Sequence, residues 1–132
     1  IKKFEKNNQN SKLVPSLGQT DYFSILKLYD GVIGNSSSGI IEVPYFNKGV
    51  INIGNRQDGR IFSKKIISCN ITEDEITKSI KKLYSKKFKT LLNLKENIYG
   101  RQGVAKRIFK VLNNIKFNEN KIKSFKDINF KC

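Results

Sequence analysis

Gly34-Asn35-Ser36-Ser37-Ser38-Gly39-Ile40-Ile41-Glu42 stands between two short apolar runs, Gly31-Val32-Ile33 and Gly49-Val50-Ile51-Asn52-Ile53. An apolar run that ends in small hydroxyl residues and then turns helical reads as a buried strand feeding a helix. At such a turn the first backbone N–H groups have no partner inside the helix and carry partial positive charge, which favours an anion. One serine would be accounted for as an ordinary helix cap. Three in a row between two glycines exceed that need, and Gly39, with no Cβ, would let an anion approach the backbone.

Glu42 narrows the ligand. A capping-box glutamate lies three residues after its cap. From Ser36, Ser37 or Ser38 that position is Gly39, Ile40 or Ile41, so Glu42 is misplaced for capping. It falls one turn after Ser38, on the same helix face. A carboxylate repels phosphate but accepts hydrogen bonds from a neutral diol such as the hydroxyls of a ribose. Phosphate on the serines and ribose on Glu42 together describe a nucleotide; the competing reading of Glu42 is a solvated surface carboxylate. Arg56 follows Gly54-Asn55 after the next strand, and its planar fork pairs with phosphate oxygens. Gln57 and Arg60 share that loop. There is no G-x-x-x-x-G-K-[ST] and no G-x-G-x-x-G, so neither the P-loop nor the dinucleotide fingerprint is present.

Reading outward, residues 1–11 are polar, and Lys12-Leu13-Val14 is a short apolar run stopped by Pro15, expected as a strand end. Thr20 or Asp21 is expected to cap a helix to Tyr29, with Phe23, Leu26 and Leu28 inward. Val32-Ile33 is a buried strand and Ser36 to Phe46 a helix. After a turn at Asn47-Lys48-Gly49, Val50–Ile53 and Lys65–Ser68 are further strands, separated by a polar loop over 54–62. Thr72 and Glu75 form a capping box opening a helix to Tyr84, with Ile76, Ile80 and Leu83 on one stripe. Helices are also expected between Lys86 and Glu96 and over Val104–Ile115. Strands alternating with helices predict an α/β fold, a parallel sheet wound by helices. Right-handed crossovers then put the strand C-termini, and with them loops 34–39 and 54–60, on one edge, where such folds bind ligands.

Composition bounds the chemistry. The chain has 132 residues, which suits one core, and no apolar run nears the ~20 residues of a membrane helix. It contains no methionine, so Ile1 is not a translation start and the chain reads as a piece of a longer protein. With no histidine, a Ser-His-Asp triad or Cys-His pair is excluded within it, and its two cysteines cannot make a four-ligand zinc site. A disulfide between Cys69 and Cys132 has no support; a reducing cytoplasm fits better. Net charge is +15, carried by lysines spread along the chain without an Arg cluster or aromatic platform. That pattern reads as compositional bias more than as a nucleic-acid surface, yet the field would draw in a polyanion such as a nucleoside diphosphate.

The paired motifs, Gly34–Glu42 and Asn52-Ile53-Gly54-Asn55-Arg56-Gln57-Asp58-Gly59-Arg60, closely resemble those of the hydrolysing UDP-N-acetylglucosamine 2-epimerases, which make N-acetylmannosamine or related sugars for sialic-acid-type biosynthesis. Tyr99-Gly100 followed by Val104-Ala105-Lys106-Arg107-Ile108 is similar to the family's final helix. The resemblance runs over about residues 13–115. It implies a two-domain, GT-B-type fold of Rossmann-like halves, of which residues 1–115 would be most of the C-terminal, UDP-binding half without its first strands, and 116–132 a tail. It implies diphosphate on Ser36 and Ser37, ribose on Glu42, the phosphate region on Arg56 and uracil near Leu17; Ser38 and Gly39 are expected among the UDP-binding residues too, with Ser38 at a variable position of less weight. It further implies UDP expulsion by elimination, a glycal-type intermediate that water attacks, and no metal or cofactor. The catalytic acids and bases would come from an N-terminal domain absent here, so the chain alone is expected to be inactive and to bind UDP weakly. Its ligands would be UDP and a UDP-acetamido sugar, without nucleic acid or membrane, in a homodimer or homotetramer. Without upstream strands, a sheet edge would stay unpaired and favour self-association. A basic nucleic-acid-binding module and a ligand-free remnant are the alternative readings.

Overall fold

The structure, a computed structural model, describes residues 1–96, 98–100 and 102–115. Three short strands, β1 (Gly31–Gly34), β2 (Gly49–Ile53) and β3 (Ile66–Cys69), form a parallel sheet in the order β1-β2-β3. Val32 stands opposite Val50, and Ile51 opposite Ile67. Helices α1 (Lys2–Asn7) and α2 (Gly18–Leu28) precede the sheet, α3 (Ser37–Ile41) joins β1 to β2, and α4 (Glu73–Leu83) and α5 (Lys86–Leu92) follow β3. The α/β class read from the alternating segments is the class observed.

Because strand side chains alternate between faces, β2 feeds two cores. Val50 packs with Leu26 and Val43 on one side, joined by Tyr22, Phe23, Val32, Phe46 and Ile66. Ile51 packs with Ile67, Leu83 and Phe88 on the other. A central parallel strand covered on both faces reads as a continuous apolar run, which is what Val50-Ile51-Asn52-Ile53 supplies but for Asn52. Gly49 lets the second core close. A Cβ there would lie 2.8 Å from Phe88 Cε1 and 3.2 Å from Leu83 Cδ1.

Several local expectations are corrected. The run Lys12-Leu13-Val14 is not a strand; the Leu13 N–H donates to Glu5 Oε1 at 2.7 Å, which takes the donor a neighbouring strand would use. α2 starts at Gly18, before Thr20 and Asp21, with Leu17 at the cap position and the Gly18 N–H reaching Ser16 Oγ at 3.4 Å. The helix expected over Ser36–Phe46 is two pieces, α3 and a 3-10 turn at Val43–Phe46, because Pro44 has no N–H to continue the α ladder. On α4, Ser79 and Leu83 face inward while Ile80 is 41% exposed. Thr72 caps α4 as expected, accepting from the Glu75 N–H, but the Glu75 carboxylate turns to Asn70 instead of the cap.

Lys65 is buried at 1% exposure, its Nζ donating to the Pro44 carbonyl at 3.1 Å and Asn47 Oδ1 at 2.6 Å. It pins the end of the 3-10 turn to the start of β3, and burial pushes its pKa below the ordinary lysine value. Nearby, the Glu96 carboxylate accepts from the Lys64 N–H at 3.0 Å and from Ser63 Oγ at 2.9 Å, bonds that hold its pKa below the usual 4.5. A carboxyl with a lowered folded pKa contributes stability above its unfolded pKa and loses it as pH falls through the folded one. Urea midpoints are therefore expected to drop as pH falls below about 4.5, and Glu96→Gln to flatten that drop while lowering the midpoint at neutral pH. An unchanged acid limb in Glu96→Gln would remove Glu96 from that role.

Residues Ile1–Tyr99 make one compact unit, which carries the sheet; Gly100–Cys132 is a second. In the second, Val104–Asn114 forms α6, entered through Gly103 and with Arg107 Nη1 donating to the Gln102 carbonyl at 2.7 Å. The tail expected over 116–132, with Cys132, lies outside the described residues. Cys69 is a free thiol. No helix among the described residues is long and apolar enough to cross a membrane.

Candidate functional site

Since β1 and β2 are parallel neighbours, the loops that follow Gly34 and Ile53 leave from the same end of the sheet. Side chains tie them together. Gln57 Nε2 donates to the Asn35 carbonyl at 2.8 Å, and Arg56 Nη1 donates to Asn35 Oδ1 at 3.4 Å. Gln57 is buried at 4% exposure and Arg56 is exposed, so the amide acts as an internal brace and the guanidinium faces solvent next to Asn35. Asn52, also buried, donates Nδ2 to the Gly54 carbonyl at 3.3 Å. The oxygens of both buried amides, Asn52 Oδ1 and Gln57 Oε1, have no hydrogen-bond partner among the described residues.

The serine turn follows at once. Ser36, with extended backbone, caps α3: its Oγ accepts from the Ser38 N–H at 3.3 Å, and its carbonyl accepts from the Gly39 N–H at 3.1 Å. A five-residue helix entered this way keeps first-turn N–H groups without intrahelical acceptors. Gly39 is buried, and a Cβ there would lie 3.1 Å from Val50 Cγ1, so its physical part in the fold is to seat α3 on β2.

Glu42 ends α3, one turn beyond Ser38, as the spacing implied. Ser38 Oγ donates to Glu42 Oε2 at 2.7 Å, and Tyr22 Oη lies 2.7 Å from the same Ser38 oxygen. The Ser38 hydroxyl is thus committed to Tyr22 and Glu42, and the Ser36 oxygen accepts from the Ser38 N–H that it caps. Leu17, half-buried, stands at the head of α2, the helix whose Tyr22 reaches Ser38. Arg60 is exposed, its backbone N–H closing the loop onto the Gln57 carbonyl at 3.3 Å.

The structure thus brings Asn35, Ser36, Arg56 and Gln57 to one edge, with Tyr22, Ser38 and Glu42 linked beside them. Tyr22 and the bracing role of Gln57 escape sequence reasoning, since each pairs with a residue far along the chain and no spacing rule reaches that far. Chemically the edge offers a cation, hydroxyl and N–H donors suited to a polyanion, and a carboxylate acceptor suited to neutral hydroxyls. Among the described residues no group of three or more His, Cys, Asp or Glu side chains is placed to hold a metal.

A family model described as UDP-N-acetylglucosamine 2-epimerase matches residues 1–113. A GDP/UDP-N,N'-diacetylbacillosamine 2-epimerase (hydrolyzing) of Campylobacter jejuni is 44% identical over 85 residues, 64% of this chain and 22% of that protein. The polysialic acid biosynthesis protein P7 of Escherichia coli is 32% identical over 112 residues, covering 85% of this chain and 28% of its own length. A UDP-N,N'-diacetylbacillosamine 2-epimerase (hydrolyzing) of Legionella pneumophila is 32% identical over 105 residues, 79% and 26% of the two chains. The chain spans about a quarter of the length of the curated relatives it matches.

Proposed function

This chain belongs to the UDP-N-acetylglucosamine 2-epimerase family, and on that premise we propose that its Ile1–Tyr99 unit holds the UDP end of a UDP-acetamido sugar during hydrolytic 2-epimerisation. The observation that carries the reading is the junction of the two loops at Asn35, which sets the Arg56 guanidinium beside the Ser36-Ser37 turn. In this reading Ser36, Ser37 and Arg56 take the diphosphate, Glu42 takes the ribose hydroxyls, Leu17 lies toward the uracil, and Ser38 and Gly39 shape the turn.

The chemistry assigned to these residues is that of a leaving-group site. As the bond from the sugar to UDP breaks, negative charge accumulates on the departing diphosphate. Fixed donors and a fixed cation at that position stabilise the charge as it develops, which lowers the barrier more than it tightens the ground state. In the same reading, proton removal from the sugar and activation of water are assigned to residues outside this chain, a division that the absence of histidine from it fits.

Two measurements test the reading. The full-length protein is expected to release UDP and a free acetamido sugar from a UDP-acetamido sugar. UDP at about a hundred times its Kd is expected to stabilise the fold by about 2.7 kcal/mol. Steeply salt-dependent binding of a DNA duplex, with no thermal shift from UDP, would replace this reading with a nucleic-acid-binding one.

A further inference from the structure

Glu42 ends a short helix, and a glutamate side chain has enough rotamer freedom that its position alone does not aim it. What aims it is a chain of hydroxyls. Ser38 Oγ gives its one proton to Glu42 Oε2 at 2.7 Å, so toward Tyr22 Oη, also 2.7 Å away, the same oxygen is left to accept. The order is therefore Tyr22 to Ser38 to Glu42, each hydroxyl donating toward the carboxylate. The tyrosine end is anchored in turn: Tyr22 packs against the core of Leu26, Val43 and Val50, and its ring lies 5.9 Å from that of Phe23. All three polar groups are half-buried, where such bonds are stronger than in open water. Glu42 Oε1 has no partner among the described residues.

We propose that Tyr22 and Ser38 are positioning residues that hold the Glu42 carboxylate, through its Oε2, so that Oε1 is presented to the vicinal hydroxyls of a ribose. The proposal rests on Glu42 being the ribose acceptor. It extends control of the selection between a ribonucleotide and its deoxy form from Ser38 and Glu42 to Tyr22 in α2, outside the motif. It also accounts for the Ser38 hydroxyl without a ligand contact of its own.

The test titrates the full chain with UDP, with dideoxyuridine diphosphate and with inorganic pyrophosphate. The unaltered chain is expected to prefer UDP over the dideoxy compound by about tenfold or more. Tyr22→Phe keeps the ring and its packing but loses the hydroxyl; Ser38→Ala loses the relay. Both are expected to shrink the preference to about threefold or less, with pyrophosphate affinity unchanged, and Ser38→Thr to restore it. If Glu42→Ala abolishes the preference while Tyr22→Phe and Ser38→Ala keep it, the relay is wrong and the nucleotide reading stands. If Glu42→Ala leaves the preference intact, Glu42 is not the ribose acceptor and the proposal falls with it. Equal weakening of all three ligands by Tyr22→Phe would mark a structural role and overturn the proposal.

Discussion

Arg56→Ala is expected to lower turnover of a UDP-acetamido sugar by the full-length protein by about a hundredfold to a thousandfold, mostly in kcat. The guanidinium is exposed, and its one hydrogen bond within the described protein is the long one to Asn35 Oδ1, 3.4 Å. Little of the fold depends on it, so the melting temperature should move by no more than an exposed-residue change allows, within about 0.5 kcal/mol. The diphosphate is more negative in the transition state than in the bound substrate, so losing a cation there weakens the transition state selectively. Arg56→Lys should recover part of the loss, because the charge returns without the planar fork that pairs with two oxygens at once. A kcat equal to that of the unaltered protein would exclude Arg56 from the leaving-group site.

Phe88→Ala carries the largest expected cost to stability, about 3–5 kcal/mol by analogy with other buried aromatic truncations. Phe88 is 3% exposed and closes the core formed with Ile51, Ile67 and Leu83. Its ring also lies over Gly49, where a Cβ would lie 2.8 Å from Cε1, so the cavity left behind would run to the β2 backbone. A loss of that size is a large fraction of the ~5–15 kcal/mol that holds a typical domain together. Urea denaturation measures it, and a loss below about 1 kcal/mol would show that α5 contributes little to this face.

The sequence was most readable where a rule acts over a few residues. Glycine-bounded apolar runs marked β1 and β2, Thr72 marked the start of α4, and the two loops reached one edge because parallel strands leave no other place for them. Ser38 and Glu42 were also visible as a pair, since one helical turn separates them. Long-range pairings were not readable. Lys65 looked like an ordinary strand end, yet it is buried because the Pro44 carbonyl and Asn47 side chain, 21 and 18 positions away, accept from it. Tyr22 reads as one more ring in an apolar helix until α2 packs beside α3. Pro44 carried a local signal that the helix from Ser36 would break, and the stripe of apolar residues around it masked that signal.

The sheet order β1-β2-β3 repeats the order of the chain, which bears on how the protein emerges from the ribosome. β2 and β3 each find a parallel partner already synthesised. The face built from Tyr22, Leu26, Val43 and Val50 is complete once Ile66 has appeared. The opposite face must wait for Leu83 and Phe88, so Ile51 and Ile67 stay bare while the intervening residues are added. A nascent chain stalled between Ile67 and Leu83 would therefore present a half-covered sheet, and that interval is where a chaperone that recognises apolar strands would find it.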